Sequence, residues 1–218
     1  MSDMKSNKYS WLLCFIATTL MVACTKKTEK NNVEPTVKSD SIVKSPNQLP
    51  TYQTPKNISE IKEFYAAWEQ KLQTGFYKKI AFNYNCDNEK SGKLTYFFED
   101  GNLRIIEHSY SEYDHFSATD RYYIISGNPF FIFSKEAAWS FEAEGKTKDN
   151  ITEYRGYIIN NEPAECLQKK YTVYSHSKTN PNPDEIENTV SDCKNILKLI
   201  DKYQKLATYK STTDVECN

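Results

Sequence analysis

The spacing of apolar and polar residues changes along the chain, and its first clear pattern is helical. Between residues 58 and 72, apolar side chains recur at three- and four-residue steps, which places them on one helix face: Ile61, Phe64, Tyr65, Trp68 and Leu72. Asn57 and Glu60 form a capping-box pattern at the start, and Gly75 lies where a C-terminal capping glycine belongs. The pattern predicts a helix from about Ile58 to Leu72 that packs on a core.

The middle of the chain has the residue usage and the alternation of β-strands. After a run of strand formers at 76–84, three similar units follow at 96–104, 122–130 and 156–164. Each unit is an aromatic-rich strand, a two-residue turn such as Asp100-Gly101 or Asn160-Asn161, and a returning strand. Pro129 and Pro163 follow two of the turns, so we expect both at a strand start or an edge. Consecutive hairpins predict an antiparallel β-meander of six to eight strands.

A second helical pattern follows the strands and completes an α+β fold. Pro181 and Pro183 block a helix upstream, and Asp184 with Glu187 offers a second capping pattern. The apolar stripe comprises Ile186, Val190, Cys193, Ile196, Leu197, Ile200, Tyr203 and Leu206. The sequence therefore predicts a C-terminal helix over about 184–207 that, like the N-terminal helix, packs on the sheet.

Residues 1–23 have the order of a secretory signal peptide. Lys5 and Lys8 precede an uncharged, mostly apolar run from Tyr9 to Ala23, which is shorter than the ~20 apolar residues of a membrane span. The run ends in Leu20-Met21-Val22-Ala23-Cys24, which resembles the lipobox of bacterial lipoproteins. The resemblance implies cleavage before Cys24, a diacylglycerol on its thiol and an acyl chain, such as palmitate, on its amine. The alternative is an ordinary signal peptide with a chance cysteine.

The lipobox resemblance implies a location and an organisation for the mature chain. We expect a lipidated tether at 24–56, because that stretch is polar and carries Pro35, Pro46, Pro50 and Pro55, followed by one globular domain at 57–218. Thr25, rather than an aspartate, follows Cys24; by analogy with one group of double-membraned bacteria this favours the outer membrane. Whether the domain faces the periplasm or the cell surface stays open.

Composition excludes several classes of ligand. Without residues 1–23, Lys+Arg falls from 28 to 26 and Asp+Glu from 29 to 28, so the mature charge is −2. A near-neutral chain lacks the basic surface of a nucleic-acid binder, and attachment to a membrane would depend on the acyl chains of Cys24. With only 6 Gly and neither G-x-x-x-x-G-K nor G-x-G-x-x-G in the sequence, we expect no nucleotide or other cofactor.

Four cysteines remain after Cys14 leaves with the signal peptide and Cys24 takes the lipid. In an exported protein, Cys86, Cys166, Cys193 and Cys217 are expected to form two disulfides, although four free thiols are an alternative. Four cysteines allow three connectivities; we prefer Cys193–Cys217 with Cys86–Cys166. No C-x-x-C spacing occurs and the histidines are distant in sequence, so we expect no metal site.

The three hairpin units resemble those of many uncharacterised bacterial lipoproteins, with the pattern tyrosine-tyrosine-phenylalanine-x-asparagine-glycine-lysine-leucine, and more distantly MORN-type repeats. The likeness covers about Lys93 to Tyr174 and departs from the pattern at Pro129, at Pro163 and at the third turn, which lacks its glycine. This motif is structural, so the resemblance implies a fold and no activity.

The best catalytic candidates are His108, Ser111, Asp114 and His115, which lie close together in sequence. Neighbours along a strand point to opposite faces, so we expect no converging triad or metal site and predict no enzyme. We favour a non-catalytic binding or scaffold domain that holds a protein, a peptidoglycan fragment or a lipid through exposed tyrosines: Tyr110, Tyr113 and Tyr122. The alternatives are an inhibitor or immunity lipoprotein against an envelope-attacking enzyme, and a hydrolase with dispersed catalytic residues.

Overall fold

The computed structural model describes residues 52–215 and residue 217, which form one compact unit. One antiparallel sheet runs through the described chain, with eight strands in sequence order: β1 (Lys78–Cys86), β2 (Lys90–Glu99), β3 (Asn102–Glu112), β4 (Phe116–Ile125), β5 (Asn128–Ala143), β6 (Lys146–Ile159), β7 (Glu162–Tyr174) and β8 (Thr189–Val190). Helix α1 (Ile58–Gln73) precedes the strands and helix α2 (Lys194–Leu206) follows them. The prediction of an antiparallel meander with two helices is confirmed. The proposed signal peptide, Cys24 and most of the proposed tether lie outside the described residues.

The three predicted hairpins share one local geometry. Both turn residues have positive φ in each hairpin, at 100–101, 126–127 and 160–161, as a type I′ turn requires. The register then shifts at the same place after each turn, so that one extra residue bulges from the returning strand. In the first two hairpins that residue is Arg104 or Phe130, and both are buried. Pro129 and Pro163 are each the second residue of a strand, as the sequence predicted.

Helix α1 packs its aromatic stripe on one face of the sheet. Asn57 caps its first turn by accepting from the Glu60 amide at 3.0 Å, and a Schellman motif closes its end at Gly75. Ile61 and Trp68 are fully buried against rings from the sheet, including Phe130, whose centroid lies 5.1 Å from that of Trp68. The predicted stripe is confirmed as a core contact.

The chain enters this core before α1 begins. Tyr52, inside the segment whose composition suggests a tether, packs edge-on to Trp68 at 5.6 Å between centroids. Its hydroxyl donates to Glu99, which is buried and also forms ion pairs with Lys71 at 2.5 Å and with Arg104 at 3.3 Å. A charged, hydrogen-bonded contact therefore holds the start of the described chain on the domain.

The second helix begins ten residues later than the sequence predicted. Asp184 lies in a short 3₁₀ helix (Pro183–Glu185), and residues 189–190 form the edge strand β8 against β7. Val190, predicted on the apolar stripe, is 81% exposed. The stretch Asn188 to Asp192 consists of poor helix formers, and pairing with β7 satisfies part of its backbone instead. From Ile196 onwards most of the stripe packs as predicted, and Gly156 leaves room for Ile196, because a Cβ there would lie 2.6 Å from it. The prediction was wrong for Leu197, which is 48% exposed, while Leu199 is buried instead.

Two disulfides are present, but the preferred connectivity was wrong. Cys166 bonds Cys193 across a separation of 27 residues, and Cys86 bonds Cys217 across 131. The reason is topological. Cys166 lies on the α2 face of β7, next to the start of α2, and Cys86 ends β1, along which the C-terminal segment returns. Sequence distance alone could not reveal either approach.

Candidate functional site

The residues singled out as catalytic candidates do not converge. His108 is 4% exposed and faces α2, whereas Ser111 lies on the opposite face of the same strand. Asp114 and His115 are in the turn that follows β3. There the Asp114 backbone carbonyl accepts a hydrogen bond from the Trp139 indole, and the centroids of the His115 and Trp139 rings are 4.3 Å apart. Strand alternation separates these side chains, as expected.

A polar groove of about 710 Å³ lies on the α1 face of the sheet, farther along the strands than the residues that α1 covers. We call it the hydroxyl groove and define it by Ser91, Lys93, Ser109, Ser111, Ser117, Thr119 and Lys135, which lie in its wall. Cross-strand pairing places these side chains in two adjacent rows, because Lys93 pairs with Ser109, Ser109 with Thr119, and Thr119 with Lys135. The hydroxyls of Ser109 and Thr119 are 3.1 Å apart. Small side chains on neighbouring strands thus make a broad polar floor.

The hydroxyl groove carries two lysines, of which Lys135 has Glu153 as its cross-strand neighbour on β6. No carboxylate is found among the described residues that line it, and neither Lys93 nor Lys135 forms an ion pair within the described part of the chain. The next row toward α1 differs, because there Arg121 is bonded to Glu107 at 2.6 Å and faces Glu69 of α1 at 3.6 Å. Lys93 and Lys135 are both exposed, so their ammonium groups are accessible to a ligand.

An aromatic border extends past the hydroxyl groove. Trp139 lies two residues beyond Ala137 of the groove wall on the same strand, with His115 against one side of its ring and Phe141 edge-on at 5.2 Å. Phe141 and Tyr113 are 70% and 68% exposed. Tyr113 is thus exposed as predicted. Tyr122, by contrast, is fully buried beneath α2, and Tyr110 is half-buried beside His108, so the prediction was wrong for these two tyrosines.

A row of buried polar side chains crosses the other face of the sheet, beneath α2. His108 pairs across the strands with Asp120, and Asp120 pairs with Ser134. The Asp120 carboxylate accepts from the Ser134 hydroxyl at 2.6 Å and from Lys202 of α2 at 2.7 Å. We call His108, Asp120, Ser134 and Lys202 the polar row. Lys202 also lies 3.7 Å from the centroid of the Tyr110 ring, so its charge is enclosed on several sides.

Burial controls the protonation of the polar row. The pKa of His108 falls to about 3, first because the ring is buried and then because Lys202 and Lys90 are near. Its Nε2 lies 2.7 Å from the Tyr84 hydroxyl, whose own pKa burial raises to about 12. Tyr84 can lean over β2 only because Gly92 has no side chain: a Cβ there would lie 2.6 Å from the hydroxyl. His108 is therefore neutral and hydrogen-bonded at physiological pH.

Sequence reasoning missed Asp120, Ser134 and Lys202, and it missed the groove. The three hairpin turns were identified correctly, and the turn at 126–127 with its bulge leads to the pairing of Asp120 with Ser134. The pairing of His108 with Asp120 depends on the turn at 113–115, which the sequence analysis did not identify. No sequence pattern indicated that Lys202 contacts the polar row, because it lies 82 residues from Asp120. Within residues 52–215 and 217, no cluster of His, Cys, Asp and Glu could hold a metal ion, and no helix is long and apolar enough to cross a membrane.

Comparisons with protein-family models, with curated proteins and with solved structures find no match for this chain.

Proposed function

We propose that this protein is a membrane-anchored lipoprotein of the bacterial cell envelope whose domain binds an acidic, hydroxyl-rich chain without transforming it. The lipobox-like sequence that ends at Cys24 supports the anchor. The observation that supports the ligand is the hydroxyl groove, in which two lysines without an ion pair among the described residues flank a floor of serine and threonine. An oligosaccharide that carries carboxylates matches this chemistry.

The groove offers the contacts that an acidic sugar needs. Serine and threonine hydroxyls both donate and accept hydrogen bonds, so each can act as the donor or as the acceptor toward a hydroxyl of a sugar ring. Lys93 and Lys135 lie three strand spacings apart, about 14 Å, and can each reach a carboxylate of an extended ligand. At the border, Trp139 presents a ring edge or face on which the apolar C–H side of a sugar can pack.

The same groove argues for binding rather than cleavage. Glycoside hydrolysis uses a pair of carboxyl groups about 5–9.5 Å apart, one of them as a general acid. The described lining of the groove contributes lysines and hydroxyls in place of such a pair. We therefore propose a non-catalytic role, in which the tether presents the groove to a polymer of the envelope.

Titration calorimetry with oligosaccharides of alginate, a polymer of uronic acids, tests this proposal. We expect saturable binding that weakens as salt rises, and no binding of dextran, which is neutral. Lys93→Gln and Lys135→Gln should each weaken binding several-fold. Lys90→Gln is the matched control, because Lys90 lies on the same strand as Lys93 but faces α2. Equal binding of dextran, or equal loss in the Lys90→Gln variant, would overturn the proposal, and shortened oligosaccharides after incubation would show that the domain is an enzyme.

The anchor is tested separately from the groove. In a bacterial host, metabolic labelling with a fatty-acid analogue should tag the wild-type protein and not the Cys24→Ser variant, because the thiol is the lipidation site. Equal labelling of both proteins would end the lipoprotein proposal and leave the binding experiment unaffected.

The exposed aromatic border gives specific support to a second candidate, the inhibitor or immunity lipoprotein. Exposed aromatic side chains are enriched where proteins meet, and Phe141 and Tyr113 are among the most exposed large apolar residues described. In that case Phe141→Ser should abolish inhibition of an envelope-attacking enzyme while alginate binding, if present, persists. Loss of both activities together would instead assign the border to the groove.

A further inference from the structure

A second cavity, which shares Tyr84 with the lining of the hydroxyl groove, lies between α2 and the sheet. This α2 pocket has about 460 Å³ of space and is enclosed by β2, β3, the C-terminal half of α2 and the segment that follows the helix. One part of its wall is apolar, formed by Leu94, Leu206 and Val215. The other part is polar, formed by His108 and by three lysines at 90, 202 and 205. A two-sided wall of this kind suits a ligand with an apolar and a charged end.

The polar end includes His108, which has a buried ring nitrogen without a described partner. His108 uses Nε2 for its contact with Tyr84, but Nδ1 is buried and has no hydrogen-bond partner among the described residues. Leaving such an atom unsatisfied destabilises the fold by about 1–3 kcal/mol. When Tyr84 donates to Nε2, the neutral ring carries its proton on Nδ1, which is then an unused donor. A carboxylate oxygen is a suitable acceptor for it.

Lysine charges act on His108 at this end, while the carboxylates of Glu112 and Asp120 act on the neighbouring Tyr84. The charges that act on His108 come from Lys202 and Lys90, and both oppose its protonation. Lys202 bonds to Asp120 and Lys90 to Glu112 at 2.9 Å, yet the lysines and not the carboxylates lie in the pocket wall. Asp201 is the single carboxylate among the lining residues described. An anionic group is therefore favoured over a cationic one next to His108.

The remaining side of the α2 pocket is fixed by a covalent bond. Tyr209 and Val215 belong to the segment after α2, and this segment is tied back to β1 through Cys86 and Cys217. The Asp214 carboxylate accepts from the amides of Lys210 and Ser211 at 2.6 and 2.9 Å, which fixes the turn between Tyr209 and Val215. A wall held in place before binding loses little entropy when a ligand enters.

We propose that the α2 pocket binds a small organic acid with an aliphatic chain, its carboxylate accepting from His108 Nδ1 near Lys90 and Lys202 and its chain against Leu94, Leu206 and Val215. This proposal does not rest on ligand binding in the hydroxyl groove or on the membrane anchor, although Tyr84 lines both cavities. Binding of such a ligand would give the buried polar row a role, because the packing of α2 on the sheet does not by itself require polar side chains there.

Octanoate is the probe, and the ring nitrogens of the histidines are the readout. In disulfide-intact protein labelled with ¹⁵N-histidine, octanoate should shift the His108 nitrogens saturably and fix the tautomer with the proton on Nδ1. His115 and His176, which are outside the pocket wall, serve as internal references. Octylamine, with the same chain and opposite charge, should not shift His108, and inorganic phosphate, an anion without a chain, should bind at least tenfold more weakly.

Matched lysine variants separate this site from the groove. Lys90→Gln should weaken octanoate binding about fivefold, since it removes one of the two charges near the ring, whereas Lys93→Gln on the other face should have no effect. Val215→Trp should abolish binding by filling the pocket from an exposed segment without disturbing the sheet. Absence of a His108 shift, an equal shift with octylamine, phosphate binding as strong as octanoate, or equal weakening by both lysine variants would each overturn the proposal.

Discussion

The two sides of the sheet are stabilised in different ways. On the α1 side, a 16-residue helix packs aromatic rings on aromatic rings and is held by its caps and by ion pairs, with no disulfide among the described residues. On the α2 side, a 13-residue helix covers a core that is crossed by the polar row, and both disulfides tie that side together. Buried charges occur on both sides, as Glu99 and Arg104 near α1 and Asp120 near α2, so the difference lies in the cross-links, which among the described residues occur only on the α2 side.

The largest predicted effect is the loss of the longer cross-link. Replacing Cys86 and Cys217 by alanine should lower the free energy of unfolding by about 5 kcal/mol, because the bridge closes a loop of 131 residues in the unfolded chain. Replacing Cys166 and Cys193 should lower it by about 3.5 kcal/mol for the 27-residue loop. Urea denaturation measures both values. Hydrogen exchange should show the loss of protection in α2 before α1, and the reverse order would contradict the comparison.

The next effect concerns the side without cross-links. Trp68→Ala should lower the free energy of unfolding by about 3–5 kcal/mol, since Trp68 is fully buried and contacts Tyr52 and Phe130. Trp68→Phe is the matched control: it keeps most of the ring and removes an indole N–H that has no described partner, so its cost should stay below about 1.5 kcal/mol. Thermal melts monitored by circular dichroism should show a larger loss of stability for Trp68→Ala than for Trp68→Phe. Similar losses for the two variants would mean that the α1 contact depends on the indole nitrogen.

A third effect is the pH dependence of the α2 side. The folded pKa of His108 is about 3, below its ordinary value of 6.5, so between these pH values the unfolded chain binds a proton that the folded chain does not. Stability from this residue is complete above pH 6.5 and is lost as pH falls, by at most about 1.4 kcal/mol per pH unit. Unfolding free energies of wild type and His108→Gln, measured from pH 4 to pH 8, should therefore converge toward acid. Parallel curves would show that His108 does not titrate on unfolding.

The smallest effect is expected in the hydroxyl groove. Ser111→Ala removes a half-buried hydroxyl whose partner, Ser91, lies 3.2 Å away, and the free energy of unfolding should change by no more than about 0.5 kcal/mol. The same substitution should weaken alginate binding. A stability loss above 1 kcal/mol would show that the groove hydroxyls hold the sheet together and are not free for a ligand.

The elements that the sequence predicted correctly are those set by local chemistry. Asn57 with Glu60 defined the start of α1 because a cap acts within one helical turn. Asp100-Gly101 and Asn160-Asn161 marked hairpins because few residues adopt positive φ at both turn positions. The start of α2 was missed because the apolar spacing of Ile186 and Val190 also fits a helix. In the structure, residues 189–190 instead pair with β7, and Cys193 bonds to Cys166. Strand β7 and Cys166 are distant in sequence, so local patterns did not indicate either contact.

By itself, the sequence determined where α1 and the three hairpin turns form, because capping, turn chemistry and side-chain period are interactions between residues a few positions apart. It also favoured two disulfides over four free thiols, and the two disulfides are present. Only the tertiary structure decided which cysteines meet, that Tyr122 is buried, and that Lys202 lies against Asp120, since each depends on how the helices cross the sheet. The hydroxyl groove has the same origin, because its rows combine side chains from four strands, and strand register is fixed by the whole meander rather than by any one segment.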